Sequence, residues 1–331
     1  MDIVTFGEIL IDMFPAEIGR RLSEVSSFFP KPGGAPANVA VAAARLGKES
    51  AFIGKVGDDA FGHSLISVLR QNGVETRGMR VDARARTTLA FIAMPDENSA
   101  EYVFYRNPGA DLCLRPDELD TELIGGAKAL HCGSLSLVDE PARSAQYRAV
   151  EIARQNGAVI SFDVNYRPSL WESKEKALEQ IHTMIPLADI LKVNESELEL
   201  LTGSSDPQTG GAELLKHGVK LVAITLGAYG SYFSSPVAQG YCPSFKVKTV
   251  DAIGCGDAFI AGLLSALVEP GHRRLALSEQ ELRVIFRYAN AVGALTALTH
   301  GVIPALPSTD QVAEFLKQYG DPVTSALDDR K

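Results

Sequence analysis

The sequence predicts an α/β fold in which a mostly parallel central sheet is flanked by helices. Three observations carry that expectation. Short runs that are almost wholly apolar, among them Ile3–Ile11 and Leu221–Leu226, read as strands buried on both faces, the kind found inside parallel sheets. They alternate with segments of helical periodicity that stop at a glycine. A single hairpin signature interrupts the rhythm, which places a small second sheet beside the main one.

Taken in order, Ile3–Ile11 is the first strand and delivers Asp12 at its end, where α/β sheets bind ligands. Lys31-Pro32-Gly33-Gly34-Ala35-Pro36-Ala37-Asn38 forms a tight loop before a helix over Val39–Leu46, closed by Gly47. Asn38 can donate and accept, as a polyol site requires, or it can cap that helix. Strand Ala51–Gly57 and helix Asp58–Gln71 follow. Thr87–Met94 and Ala100–Tyr105, joined by the turn Pro95–Ser99, make the hairpin, which leads into Arg106-Asn107-Pro108-Gly109-Ala110-Asp111.

The rhythm then resumes with strand Ala129–Cys132, helix Glu140–Gln155 and strand Val159–Phe162, which empties into the loop carrying Arg167. Strand Ile190–Val193 runs into Asn194 and Glu197. Three residues apart at a strand-to-helix junction, these suit either a capping box or an amide and a carboxylate facing a hydrated cation. Leu221–Leu226 leads to Gly227-Ala228-Tyr229-Gly230, and Glu279–His300 is a long helix containing Asn290.

The alternating run Phe245–Val250 predicts a strand, followed by the turn Asp251-Ala252-Ile253-Gly254-Cys255-Gly256-Asp257 and a helix. Glycines let the backbone approach a ligand, and the first amides of the helix have no partner within it, so the turn is a candidate anion site. A carboxylate there is either a cap for the helix or a base that takes a proton from an attacking hydroxyl.

Composition narrows the partners. At 331 residues and 46% hydrophobic the chain can bury a large core. A net charge of −9 without a basic block argues against a nucleic-acid or membrane partner. No apolar run approaches a membrane span and the start carries no basic leader, so a cytoplasmic protein is expected. Cys113, Cys132, Cys242 and Cys255 show no C-x-x-C spacing, so neither a zinc site nor a disulfide framework is expected.

The chain has no G-x-x-x-x-G-K-[ST], no kinase H-R-D and D-F-G pair, and no complete G-x-G-x-x-G after a strand. What it has instead, from Glu8-Ile9-Leu10-Ile11-Asp12 to Ile303-Pro304-Ala305-Leu306-Pro307, resembles the pfkB, or ribokinase-like, carbohydrate kinases. Gly33–Asn38 resembles the first signature of that family and Asp251–Asp257 the second. The resemblance implies a three-layer ribokinase-like domain over residues 1–320, with β-lid segments at about 12–32 and 87–111 and a tail at 321–331.

It also implies roles. Asp257 would be the general base, with the amides of Gly254, Cys255 and Gly256 as anion hole. Asp12, Gly33, Gly34 and Asn38 would hold the sugar, with Tyr105, Arg106 and Arg167 reaching it or the phosphate. Asn194, Thr225, Gly227, Gly230, Gly254, Gly256 and Asn290 would face ATP, Glu197 would reach Mg²⁺ through water, and Asp251 is a candidate K⁺ ligand. Ala252 and Ile253 stand where the family commonly has Thr-Thr, which leaves the K⁺ requirement open. The lid implies a homodimer.

Within the family the motifs are most similar to fructokinases, so phosphorylation of the C6 hydroxyl of fructose by ATP is the expected reaction. The Asp163–Pro168 loop is as similar to 2-keto-3-deoxygluconate kinases. A non-catalytic sugar or nucleotide sensor on the same fold is the alternative of another class.

Overall fold

The computed structural model of the chain describes residues 1–96, 99–269 and 275–319. The turn expected at Pro95–Ser99 is only partly within them, and the tail at 321–331 lies outside. The strands are β1 (Ile3–Phe6), β2 (Leu10–Pro15), β3 (Phe28–Gly33), β4 (Ser50–Gly57), β5 (Met79–Asp82), β6 (Leu89–Asp96) and β7 (Ser99–Tyr105). They continue as β8 (Ala129–Gly133), β9 (Val159–Asp163), β10 (Ile190–Asn194), β11 (Leu221–Thr225), β12 (Gly230–Ser234) and β13 (Gln239–Pro243). The helices are α1 (Ala35–Arg45), α2 (Ala60–Gln71), α3 (Thr121–Gly125), α4 (Ala142–Gln155), α5 (Lys174–Met184) and α6 (Glu195–Thr202). The remainder are α7 (Pro207–Leu215), α8 (Cys255–Leu267), α9 (Glu279–Thr296), α10 (Val302–Ala305) and α11 (Thr309–Gln318).

The main sheet runs β13-β12-β11-β10-β9-β8-β1-β4-β5. From β11 to β5 every pairing is parallel, and β12 and β13 close one edge as an antiparallel ribbon. Strands such as β4 and β8 are buried along their whole length, because helices cover both faces. One apolar cluster packs α1, α2, α8, α9 and α11 against one face, and a second packs α3, α4, α5 and α7 against the other. Each fully buried Leu, Ile or Phe in these layers contributes about 1.5–3 kcal/mol.

A separate four-stranded sheet, β3-β2-β6-β7, forms the lid. Its composition corrects two sequence expectations. Ile3–Ile11 is not one strand: the chain turns at Gly7 (φ 147°), so β1 stays in the main sheet while β2 crosses to the lid. Apolar character identifies burial but not which sheet does the burying, so Asp12 sits on a lid strand rather than at the end of a core strand.

Phe245–Val250 forms no strand. Its backbone is held by other groups instead of a ladder: Val250 N–H donates to the Ala297 carbonyl, and the Lys246 carbonyl accepts from the Tyr319 hydroxyl at 2.9 Å. The Phe245 ring packs against Phe315 and Tyr319, with the Arg287 guanidinium 3.5 Å from its centroid. Alternation in this run reflects a chain pinned along α9 and α11.

Candidate active site

The turn before α8 is the centre of a cleft of about 1080 Å³ that opens between the lid and the carboxyl ends of the central strands. Gly254 N-caps α8 with φ 80°, and a Cβ there would lie 2.2 Å from the Val302 side chain, so only glycine fits. No side chain caps this helix. The amide of Cys255 makes only a long 3.4 Å contact with the Ala252 carbonyl, and the first-turn amides lack helical acceptors. Together with the helix dipole they form a site for negative charge.

Asp257 is the third residue of α8, not its cap. Its Oδ2 accepts a 2.8 Å hydrogen bond from Nδ2 of Asn38, which lies inside α1 and is not a cap either. The two residues are 219 positions apart, and the packing of α1 against α8 brings them together. Burial pushes the Asp257 carboxyl up to about 6, while the Asn38 bond opposes the shift. Asp12 is pushed up to about 7, by burial first and then by the charge of Asp257, with Arg167 opposing. Gly33 packs directly on Asp12, since a Cβ at 33 would lie 1.9 Å from Oδ2.

Asp12, Gly34, Asn38, Arg167 and Asp257 thus line one end of the cleft. Arg167 also stands over the ring of Tyr102 at 5.8 Å, on the inner face of β7. Asn194, Thr225, Gly227, Gly230 and Asn290 line the other end. The Asn290 amide donates to the Cys242 carbonyl at 3.0 Å and ties β13 to α9. The two sets meet at Gly254, Cys255 and Gly256.

Asn194 and Glu197 form the capping box that their spacing allows. Glu197 is buried, and its two carboxylate oxygens accept from the amides of Tyr166 and Asn194, each at 2.8 Å. Asp251 is engaged in a similar way, accepting from the amides of Ile253 at 3.0 Å and Gly301 at 3.1 Å. The Cys255 thiol is pushed up to about 12, chiefly by burial, so it stays protonated and unreactive.

Four expected residues do not line the cleft: Gly33, packed against Asp12, Glu197, whose carboxylate is taken up by two amides, Tyr105 and Arg106. Tyr105 follows the strand alternation onto the outer face of the lid, 66% exposed, with its ring edge-on to Phe91. Arg106 is buried in an ion pair with Asp111 and donates from Nη1 to the Leu135 carbonyl at 3.0 Å. An arginine in a glycine-rich loop gives no sign of which carboxylate claims it. Arg106→Ala therefore strips Asp111 of its counter-charge and is expected to destabilise the fold by about 3–5 kcal/mol. Denaturant melts check this, and an unmoved midpoint would return Arg106 to the surface.

Sequence reasoning missed Glu8, Tyr102, Asp163 and Lys192. Lys192 is the informative omission: a lysine within the buried strand β10 is a signal in itself, because an ammonium there must have a partner. Asp163, opposite it on β9, is that partner at 3.0 Å. Glu8 is pushed up to about 7 by burial and accepts from the Ala35 amide at the start of α1.

Comparison with known proteins gives the relatives of this chain. A model of the pfkB family carbohydrate kinases matches residues 1–309. A probable fructokinase-2 of Arabidopsis thaliana is 46% identical over 316 residues, covering 95% of this chain and 95% of that protein. The structure of a fructokinase from Xylella fastidiosa with bound ATP superposes with a TM-score of 0.88 at 31% identity, covering 97% of this chain and 99% of that one. A fructokinase double mutant of Vibrio cholerae O395, solved with fructose, ADP and potassium ion bound, gives a TM-score of 0.85 at 30% identity, over 96% of this chain and 98% of its own.

Proposed function

We infer the reaction from one premise: the chain belongs to the pfkB family of carbohydrate kinases. We propose that it is an ATP-dependent fructokinase, converting ATP and D-fructose to ADP and D-fructose 6-phosphate. The observation that carries this reading is the Asp257 carboxylate, bonded to Asn38, at the start of a helix whose amides are open to the cleft. A base and an anion hole then share one turn, between a polyol-sized polar set and a glycine-lined set that suits a nucleotide.

In this reading Asp12, Gly34 and Asn38 orient the sugar, and Arg167 supplies positive charge beside it. Asp257 is ionised above about pH 6 and takes the proton of the attacking hydroxyl as the oxygen bonds to the γ-phosphorus. The α8 amides take up the negative charge on the phosphoryl oxygens. Thr225, Gly227, Gly230 and Asn290 form the nucleotide end, so the protein mainly positions the reactants and stabilises charge.

Among the described residues no group of three or more His, Cys, Asp or Glu side chains could hold a metal. Glu197 has each carboxylate oxygen on an amide, so it suits a Mg²⁺ contact through water and not direct ligation. Mg²⁺ would enter on the ATP phosphates and offset their charge. Asp251 orders the turn in which main-chain carbonyls would meet K⁺, and stimulation by K⁺ relative to Na⁺ is the corresponding expectation.

The lid turns Val103 and Tyr105 outward, 42% and 66% exposed, which supports a homodimer through this face. Sedimentation as a single 35.5 kDa chain would contradict it. The cysteines Cys113, Cys132, Cys242 and Cys255 are free thiols, which suits a cytoplasmic enzyme. An ADP-release assay over fructose, ribose, 2-keto-3-deoxygluconate, inositol and nucleosides tests the substrate. Fructose is expected to give the highest kcat/KM. Preference for the keto-acid would reassign Arg167 to a carboxylate, and no ADP from any acceptor would make the chain a sensor.

A further inference from the structure

We propose that Lys192 is a further catalytic residue of the kinase reaction inferred above, its ammonium holding an oxygen of the phosphoryl group in transit. The inference rests on that reading of the site and goes beyond it by assigning a side-chain cation to the anion hole.

Lys192 occupies the middle of β10, between β9 and β11, and is 6% exposed. An ammonium is not buried without a partner, and Asp163 pairs with this one, at 3.0 Å to Oδ2 and 3.2 Å to Oδ1. Asp163 also accepts from the Asn165 amide at 3.1 Å, which fixes the carboxylate in place. An ammonium has three N–H donors, and among the described residues this one carboxylate is the only acceptor it meets. The donor capacity left over lies in the cleft wall beside the anion hole, since a Cβ at Gly256 would be 3.2 Å from Nζ.

A pair that merely stapled two strands would be replaced at little cost by apolar side chains. It would also have no reason to stand against Gly256. Burial lowers the tendency of Lys192 to hold its proton, but Asp163, and then Glu197 and Asp257, more than offset this, so it remains a cation. In the transfer the sugar O–H gives its proton to Asp257 while its oxygen bonds to the γ-phosphorus. The bond from that phosphorus to the bridging oxygen breaks, and its electron pair leaves with ADP. Lys192 keeps its proton throughout and acts as a hydrogen-bond donor.

The test compares the parent with Lys192→Met and with the double variant Lys192→Met/Asp163→Asn. The double variant removes both charges, so it carries the test even if the single variant unfolds with an uncompensated carboxylate. Calorimetric binding of ADP and of the non-hydrolysable analogue AMP-PNP is measured beside turnover. The double variant is expected to bind ADP within about threefold of the parent, to lose about tenfold or more in AMP-PNP affinity, and to lose on the order of a hundredfold in kcat with the fructose KM little changed. AMP-PNP affinity and kcat both within about threefold of the parent would reduce Lys192 to a counter-ion for Asp163 and overturn the proposal. A parent that releases no ADP with any sugar would instead remove the kinase reading itself, which keeps the two failures apart.

Discussion

Asp257→Asn is expected to lower turnover by roughly a hundredfold to ten-thousandfold, the reach of a general base, while the protein becomes more stable. The two effects share one cause. Burial raises this carboxyl from its ordinary 3.8 to about 6, so between those values the folded state holds a proton that the unfolded chain has released. Stability therefore falls as pH rises through that window, and at pH 8 the folded protein carries an ionised carboxylate at a cost. Asparagine has no such cost and still accepts from Asn38. The melting temperature of the variant should exceed that of the parent by a few degrees at pH 8, with the gap narrowing toward pH 5. The parent should also lose kcat/KM as pH falls through about 6. Parent-like turnover in the variant would sink the role of Asp257.

Gly254→Ala should be nearly as damaging to activity by a different route. Its φ of 80° disfavours any residue with a Cβ by about 1–2 kcal/mol, and that atom would lie 2.2 Å from the Val302 side chain. The turn must move, and with it the amides of Cys255 and Gly256. Turnover is expected to drop by about a hundredfold or more, the cost of misplacing anion-hole donors, with the sugar end of the cleft intact. Fructose binding measured without nucleotide, set beside kcat, separates the two ends. A variant with unchanged kcat would show that the amides are not aimed at the reacting phosphate.

Much of the fold was legible because its signals are local and repeated. Buried strands and glycine-stopped helices alternate along the chain, and that pattern alone points to a parallel sheet covered on both faces. The turn at Asp251–Asp257 was legible for the same reason, since glycine spacing and an acid on a helix start are written in consecutive residues. Asn38 illustrates the limit: its sequence setting left cap and ligand open, and only the packing of α1 on α8 places its amide 2.8 Å from Asp257.

The misreadings have physical causes. Ile3–Ile11 is nearly all apolar because two different sheets bury its two halves. Phe245–Val250 alternates because α9 and α11 pin it, not because a neighbouring strand does. Arg106 and Lys192 were misjudged in opposite directions. The arginine stood in an open-looking loop yet is consumed by Asp111, whereas the lysine stood in an apolar strand and faces the cleft. In both cases the deciding fact is a carboxylate, five residues along the same loop for Arg106 and on the neighbouring strand for Lys192.

The central claim, transfer of the γ-phosphoryl of ATP to the 6-hydroxyl of fructose at Asp257, is tested most directly by following the reaction of the purified protein by phosphorus and proton NMR. The account predicts one new phosphomonoester per ADP formed, coupled to the C6 methylene protons of fructose, and its near-disappearance with Asp257→Asn. A phosphomonoester at C1, or ADP formed without any sugar ester, would contradict it.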